Sequence, residues 1–271
     1  QRAGAHCEAF HEQHVASAAL DLQQVQADEI KVKAWGRSLW MGLCMMVATR
    51  LWLGGVISPR RDKQMIGSLV ACIRQMAVCR PLLIAVDGLP HYVKAIQRAF
   101  RSPVHEGKRA RPRLVAWPNI YIGRVIKRKT DGVFTIDRQW VGGCCQQALA
   151  LIHLSQKATT GVLNTAYIER LNATFRQRLV WLTRRSRVLA HQTSTLTTGM
   201  FVVGCFYNFC DPHKSLRLRI AFGSHDQRWI QRTPALAAGL TDHIWSHEEL
   251  LSARIPPPLW RPPTRRGRRS K

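Results

Sequence analysis

The chain has 271 residues, 46% of them hydrophobic, which excludes disorder throughout and allows one large domain with appendages. Forty-one Lys and Arg against sixteen Asp and Glu leave a net charge of +25. Such an excess implies a polyanionic partner, nucleic acid first and an anionic membrane surface second.

Residues 1–20 are polar and helix-compatible, with little core of their own, and 1–21 read as the remnant of an upstream DNA-binding region. His6, Cys7, His11 and His14 crowd this start, but their spacing fits no standard zinc pattern, so zinc is not expected here. Residues 25–33 alternate as a strand, and 39–49 and 51–58 follow as two apolar strands turning near Arg50. A membrane span over 39–57 is disfavoured, because Arg50 is costly in lipid and Gly42, Gly54 and Gly55 interrupt the run. Met65, Leu69, Ile73 and Met76 carry helical periodicity over 62–77, and the preceding Ser58-Pro59 supplies a break.

Residues 82–86 are a continuous apolar strand of the kind buried on both faces, ended by Asp87-Gly88. A short helix over 91–100 and a basic loop over 102–113 come next. Residues 119–126 and 133–141 alternate around Thr130-Asp131-Gly132, a hairpin signal read as an insertion at about 111–142. Further on, Ile168, Leu171, Phe175, Leu179 and Leu182 form one apolar stripe of a basic helix. Residues 196–209 predict an apolar helix, 219–255 a C-terminal extension and 256–271 a disordered basic tail. Of the eight cysteines, Cys44, Cys72, Cys79 and Cys205 lie in apolar runs as small hydrophobes. With no secretory signal before them, a reducing cytoplasm is the expected compartment.

Strand, strand, strand, helix, strand, helix, with a long helix later, is the order of a ribonuclease-H-like α/β fold, a mixed sheet flanked by helices. Other doubly wound folds share that pattern, and the placement of carboxylates separates them. Asp131 is explained by its turn, Asp62 by a helix start, and Asp211, Asp226, Asp242, Glu248 and Glu249 fall outside the predicted sheet. Asp28 lies inside the first strand, and Asp87 at the carboxyl end of the buried one, where ligands of open α/β sheets collect. Glu169 stands beside the apolar stripe, with no Lys or Arg three or four residues away to pair with it. Three such carboxylates suffice to hold two Mg²⁺ or Mn²⁺ ions for phosphodiester chemistry. Each also has a bland reading, as an edge-strand charge, a turn residue and a solvated surface glutamate respectively.

The stretch Thr165-Ala166-Tyr167-Ile168-Glu169-Arg170-Leu171-Asn172, continued by Phe175-Arg176-Gln177-Arg178-Leu179, resembles the glutamate helix of bacterial insertion-sequence-one transposases. Val25-Gln26-Ala27-Asp28-Glu29 and Ala85-Val86-Asp87-Gly88 resemble the two aspartate strands of that family. Tyr207-Asn208-Phe209-Cys210-Asp211-Pro212-His213-Lys214-Ser215-Leu216 is similar to the element that closes many integrase-like domains. The resemblance spans most of 22–240 and implies a ribonuclease-H-like catalytic domain over 22–218 with Asp28, Asp87 and Glu169 as a catalytic triad. Two departures stand out: Asp87 and Glu169 are farther apart than in simpler members, and Asp211 stands where related sequences commonly carry arginine.

The implied activity is cleavage of transposon ends and transfer of the freed 3′-hydroxyl into target DNA by a chain that assembles as a homodimer or higher oligomer on double-stranded DNA, without a membrane. Arg170, Asn172, Arg176 and Arg178, with Lys94, Arg98 and Lys108, are the expected DNA contacts, holding backbone phosphates without reading sequence. Asn208 and His213 are expected to act in structure. A nuclease without strand transfer and a non-catalytic nucleic-acid-binding protein are the other readings.

Overall fold

The computed structural model describes all residues except 35, 106, 108–111, 131, 157–160, 183–191, 223–225 and 258–271. After α1 (Arg2–His11), three strands follow: β1 (Gln24–Ala34), β2 (Arg37–Met46) and β3 (Trp52–Ser58). They form an antiparallel ladder, with Asp28 opposite Leu43 and Met41 opposite Ile57. Asp62 accepts from the N–H groups of Gln64 and Met65 and so starts α2 (Lys63–Met76) where a short polar side chain caps best. The helix returns the chain to β4 (Leu82–Asp87), which pairs parallel to β1, and α3 (His91–Ala99) follows.

A separate hairpin of β5 (Arg101–Val104) and β6 (Arg113–Ala116) leads to β7 (Ile120–Thr130) and β8 (Val133–Val141). β7 runs parallel to β4 and antiparallel to β8, so the six-stranded sheet has the order β3-β2-β1-β4-β7-β8. The helices α4 (Cys145–Ser155), α5 (Ala166–Arg178) and α6 (Thr193–Cys205) come next. The chain then forms a second small hairpin, β9 (Leu218–Phe222) with β10 (Asp226–Ile230), and the short helices α7 (Pro234–Ala237) and α8 (His247–Ser252). This is a mixed α/β architecture, a mixed sheet flanked by helices, compatible with a ribonuclease-H-like fold.

Side-chain alternation along the strands gives the sheet two apolar faces. Val25 and Ala27 of β1 pack with Ile66, Leu69 and Ile73 of α2 and Tyr92 and Ile96 of α3. Ile30 and Val32 of the same strand pack on the other face, with Ile168, Leu171 and Phe175 of α5 and Leu196 and Met200 of α6. The stripe read from sequence is therefore the buried one, and each fully buried Leu or Phe in it contributes about 1.5–3 kcal/mol. α4 covers Leu83 and Ala85 of β4 on that second face.

Several expectations need correction. Residues 1–21, read as having little core of their own, contribute Cys7, Phe10 and Val15, all fully buried, to the core with α2 and α3. Within the stretch at about 111–142, β7 and β8 belong to the main sheet, β7 continuing its parallel centre, and β5–β6 form a separate hairpin around the expected basic loop. Ala235 and Leu250 of the C-terminal extension are buried in the same core. Cys79 is exposed rather than packed, whereas Cys44 and Cys205 are buried. The apolar run over 39–57 is β2 and β3, and no helix among the described residues is long and apolar enough to cross a membrane. Lys108, Asp131 and most of the basic tail lie outside the described residues.

Candidate active site

Because β1 and β4 are adjacent and parallel, the first half of β1 lies beside Leu83–Val86 of β4. Ala27 pairs with Val86, and the next residues along the two strands are Asp28 and Asp87. Asp87 ends its strand by accepting from the N–H of Leu89 at 2.9 Å, which fixes the turn into α3. Asp28 accepts from the backbone N–H of Glu29 and from Asn172 Nδ2 of α5, both at 2.8 Å.

Glu169 arrives from the first turn of α5, and a buried glutamine determines where that turn sits. Gln26 Nε2 donates to the carbonyl of Asn164 at 2.7 Å, and Gln26 Oε1 accepts from the N–H of Ile168 at 2.9 Å. One side chain of β1 thus satisfies an otherwise orphan N–H at the start of α5. Thr165 Oγ1 donates to Glu169 Oε1 at 2.6 Å, and Lys127 of β7 pairs with the same oxygen. The ion pair missing from the helix itself is supplied from across the sheet.

Asp28, Asp87 and Glu169 line one open cleft of about 520 Å³. Burial pushes the Asp28 carboxyl up to about 6, against the opposing N–H of Glu29, and the neighbouring charges of Glu29, Asp87 and Glu169 add to the rise.

Glu29 points to the other face of the sheet, where its side chain is fully buried. Arg61 donates to Glu29 Oε2 from Nε and Nη2 at 2.8 and 2.6 Å, and Tyr92 Oη donates to Oε1. Burial raises the Glu29 pKa, and the bonds from Tyr92 and Arg61 hold it back. Arg61 also pairs with Asp87, so a single guanidinium bridges a carboxylate of β1 and one of β4.

Oxygens of Asp28, Glu29 and Asp87 lie within 4.8 Å of one another, and this group could hold a metal ion. Ligand oxygens at about 2.1 Å from a common Mg²⁺ can be about 4.2 Å apart at most, so little contraction is required. The all-oxygen donor set suits a hard divalent cation. Glu169 lies outside this tight group but borders the same cleft.

The expected DNA contacts divide. Arg170 and Arg178 are exposed on α5, Arg178 pairing with Asp211; Lys94 and Arg98 line a separate basic groove with Lys63 and His91. Arg176 is half-buried. Asn172 is not on the surface: at 3% exposure it faces β1 and orients Asp28. Asn208 is fully buried and clamps β3, accepting from the Trp52 N–H at 2.9 Å and donating to its carbonyl at 2.8 Å. The His213 ring packs edge-on against Tyr207, and the backbone N–H of His213 donates to the carbonyl of Arg232.

Sequence reasoning missed Arg61, Tyr92, Lys127 and Gln26. Only Gln26 left a trace, as a polar residue between the apolar Val25 and Ala27 of a central strand. Neither a protein-family model nor a curated protein sequence matches the chain.

Proposed function

We propose that this chain is a metal-dependent DNA transposase that cleaves phosphodiesters at element ends and joins the freed 3′-hydroxyl to target DNA. The observation that carries the reading is that Asp28, Asp87 and Glu169, drawn from two parallel strands and a helix, border one open cleft on a chain of charge +25. Asp28 and Asp87 would hold Mg²⁺ or Mn²⁺, with Glu169 completing a two-ion site. Bound ions of this kind activate an attacking oxygen and stabilise the leaving one.

The remaining work falls to the protein. Asn172 keeps the Asp28 carboxylate turned toward the cleft, and Gln26 fixes the turn of α5 that presents Glu169. Lys127 and Arg61 supply positive charge at the rim, where they can release their carboxylates to a cation and meet the phosphate instead. In either step one P–O bond forms from water or a 3′-hydroxyl while the P–O bond to the departing strand breaks, and the departing oxygen takes a proton. The expected partners are double-stranded DNA and further copies of the chain, in the cytoplasm and on the nucleoid.

A binding-only protein is the second reading, favoured by one observation: Arg61 and Lys127 already pair with Glu29, Asp87 and Glu169. Incubating the chain with DNA carrying the element ends, with Mg²⁺ or Mn²⁺, decides between them. Nicked and joined products are expected, and both should vanish in Asp28→Ala, Asp87→Ala and Glu169→Ala while DNA binding persists. Nicking without joining would make the chain a nuclease, and binding with no cleavage would leave the second reading.

A further inference from the structure

A second pocket, of about 460 Å³, lies beside α5 between the β2–β3 turn and residues 211–215. It is lined by Arg50, Arg170, Arg178 and Lys214, with Asp211 as its one carboxylate among the described residues. Asp211 is occupied by Arg178, which leaves three cations facing a space with no counter-charge. Arg50 is the most firmly placed of them. It adopts φ +61° at the turn, a conformation that costs a non-glycine residue energy and that the surroundings must enforce. Its guanidinium donates to the carbonyl of Val47 and stacks 3.8 Å above the Tyr167 ring. Neither contact neutralises it, so the charge is fixed in position and stays available to an anion.

We infer that this pocket binds a backbone phosphate of the DNA strand that leaves the catalytic cleft along α5. The inference rests on the DNA-processing reading above and adds a second phosphate site to it. Glu169 and Arg170 are consecutive, so cleft and pocket flank the same turn of the helix. From Glu169 to Arg178 the helix advances about 13 Å at ~1.5 Å per residue. A DNA strand covers that distance in roughly four phosphates at ~3.4 Å each. Fork-shaped guanidiniums suit the paired oxygens of a phosphodiester.

The test is duplex binding by the full chain without divalent metal, over a series of salt concentrations. Arg170 and Lys214 are exposed, so Arg170→Gln and Lys214→Gln leave the core untouched. Each should weaken binding roughly fivefold and make the dependence of log affinity on log salt shallower by about one. Asp211→Asn should move the other way and tighten binding by a similar factor, because it releases Arg178. Loss of folding cannot produce that opposite sign. Wild-type affinity and slope in all three variants would overturn the inference. Wild-type protein stabilised by millimolar inorganic phosphate, yet binding duplex no better than Arg170→Gln, would make free phosphate the occupant and also overturn it. Absence of any duplex binding by the wild type would instead remove the DNA reading itself.

Discussion

Asp28 and Glu29 are consecutive on β1, and their carboxylates are held from opposite faces of the sheet. Asn172 of α5 holds the first; Arg61 and Tyr92 hold the second. The two acids are therefore not interchangeable. Glu29 is buried and charge-compensated, whereas Asp28 faces the cleft with a neutral amide as its side-chain partner and three carboxylates nearby. An uncompensated carboxylate of this kind favours either a proton or a metal ion.

That imbalance sets a pH dependence in the metal-free protein. The folded-state pKa of Asp28, pushed up to about 6, lies above that of an unfolded chain, so the fold binds this proton more tightly. Its contribution is favourable below the ordinary carboxyl range near pH 4 and is lost as pH rises through about 6. His11, lowered to about 4 by burial, acts in the opposite sense, so the comparison must be with a variant. Asp28→Asn should exceed wild type by roughly 2 kcal/mol above pH 6, and the gap should close near pH 4. Denaturant unfolding in a chelator checks this, and a gap independent of pH would show that Asp28 titrates normally.

Arg61 occupies the charge position between Glu29 and Asp87 that a divalent cation would take. Arg61→Gln leaves the buried Glu29 without its ion partner and should cost about 2–3 kcal/mol without metal. Mg²⁺ should then restore more stability to the variant than it adds to wild type, since only the wild-type site must first displace a guanidinium. Thermal melts across a Mg²⁺ titration read this directly. Equal stabilisation of both proteins would place the ion elsewhere.

The fold was legible wherever burial follows a local period. The α5 stripe, the apolar run of β4 and the Asp62 cap are written in neighbouring residues. Elements without such a period were not. Cys7 and Phe10 are too few large apolar residues to mark α1 as a core helix, its other buried residues being Gly4 and His11, and α4 begins without a side-chain cap. Asp28, Asp87 and Glu169 could be reached by elimination because acids are few. Arg61 and Lys127 could not, because nothing local distinguishes one basic residue among forty-one. Asn172 was misplaced for a related reason: helical geometry puts it on the polar face, and only the proximity of β1 makes that face an interior one.

Gln26 acts on Glu169 only through the position of α5. Gln26→Leu keeps the volume but strips a partner from the Ile168 N–H and from the Asn164 carbonyl. Cleavage turnover should fall by at least about tenfold while duplex affinity stays within about twofold, because misplacing a reacting group costs rate more than binding. Equal losses in turnover and affinity would mark a general weakening of the fold instead.

Asn208 offers a purely structural comparison. Asn208→Ala leaves both backbone groups of Trp52 without partners in the interior and should destabilise by about 2–4 kcal/mol. Chemical denaturation measures it, and a loss below about 1 kcal/mol would mean that water reaches this part of β3.

Asp28, Asp87 and Glu169 come from distant stretches of the chain, and the last sits on a helix that docks onto the first strand through Gln26. A ribosome making this protein therefore exposes many of its basic residues before the three carboxylates can come together. Until α5 has emerged and found β1, Glu169 has no place beside Asp28 and Asp87. Under the proposed function, this order of assembly would make synthesis itself a safeguard: the grip on DNA would form before the power to cut it.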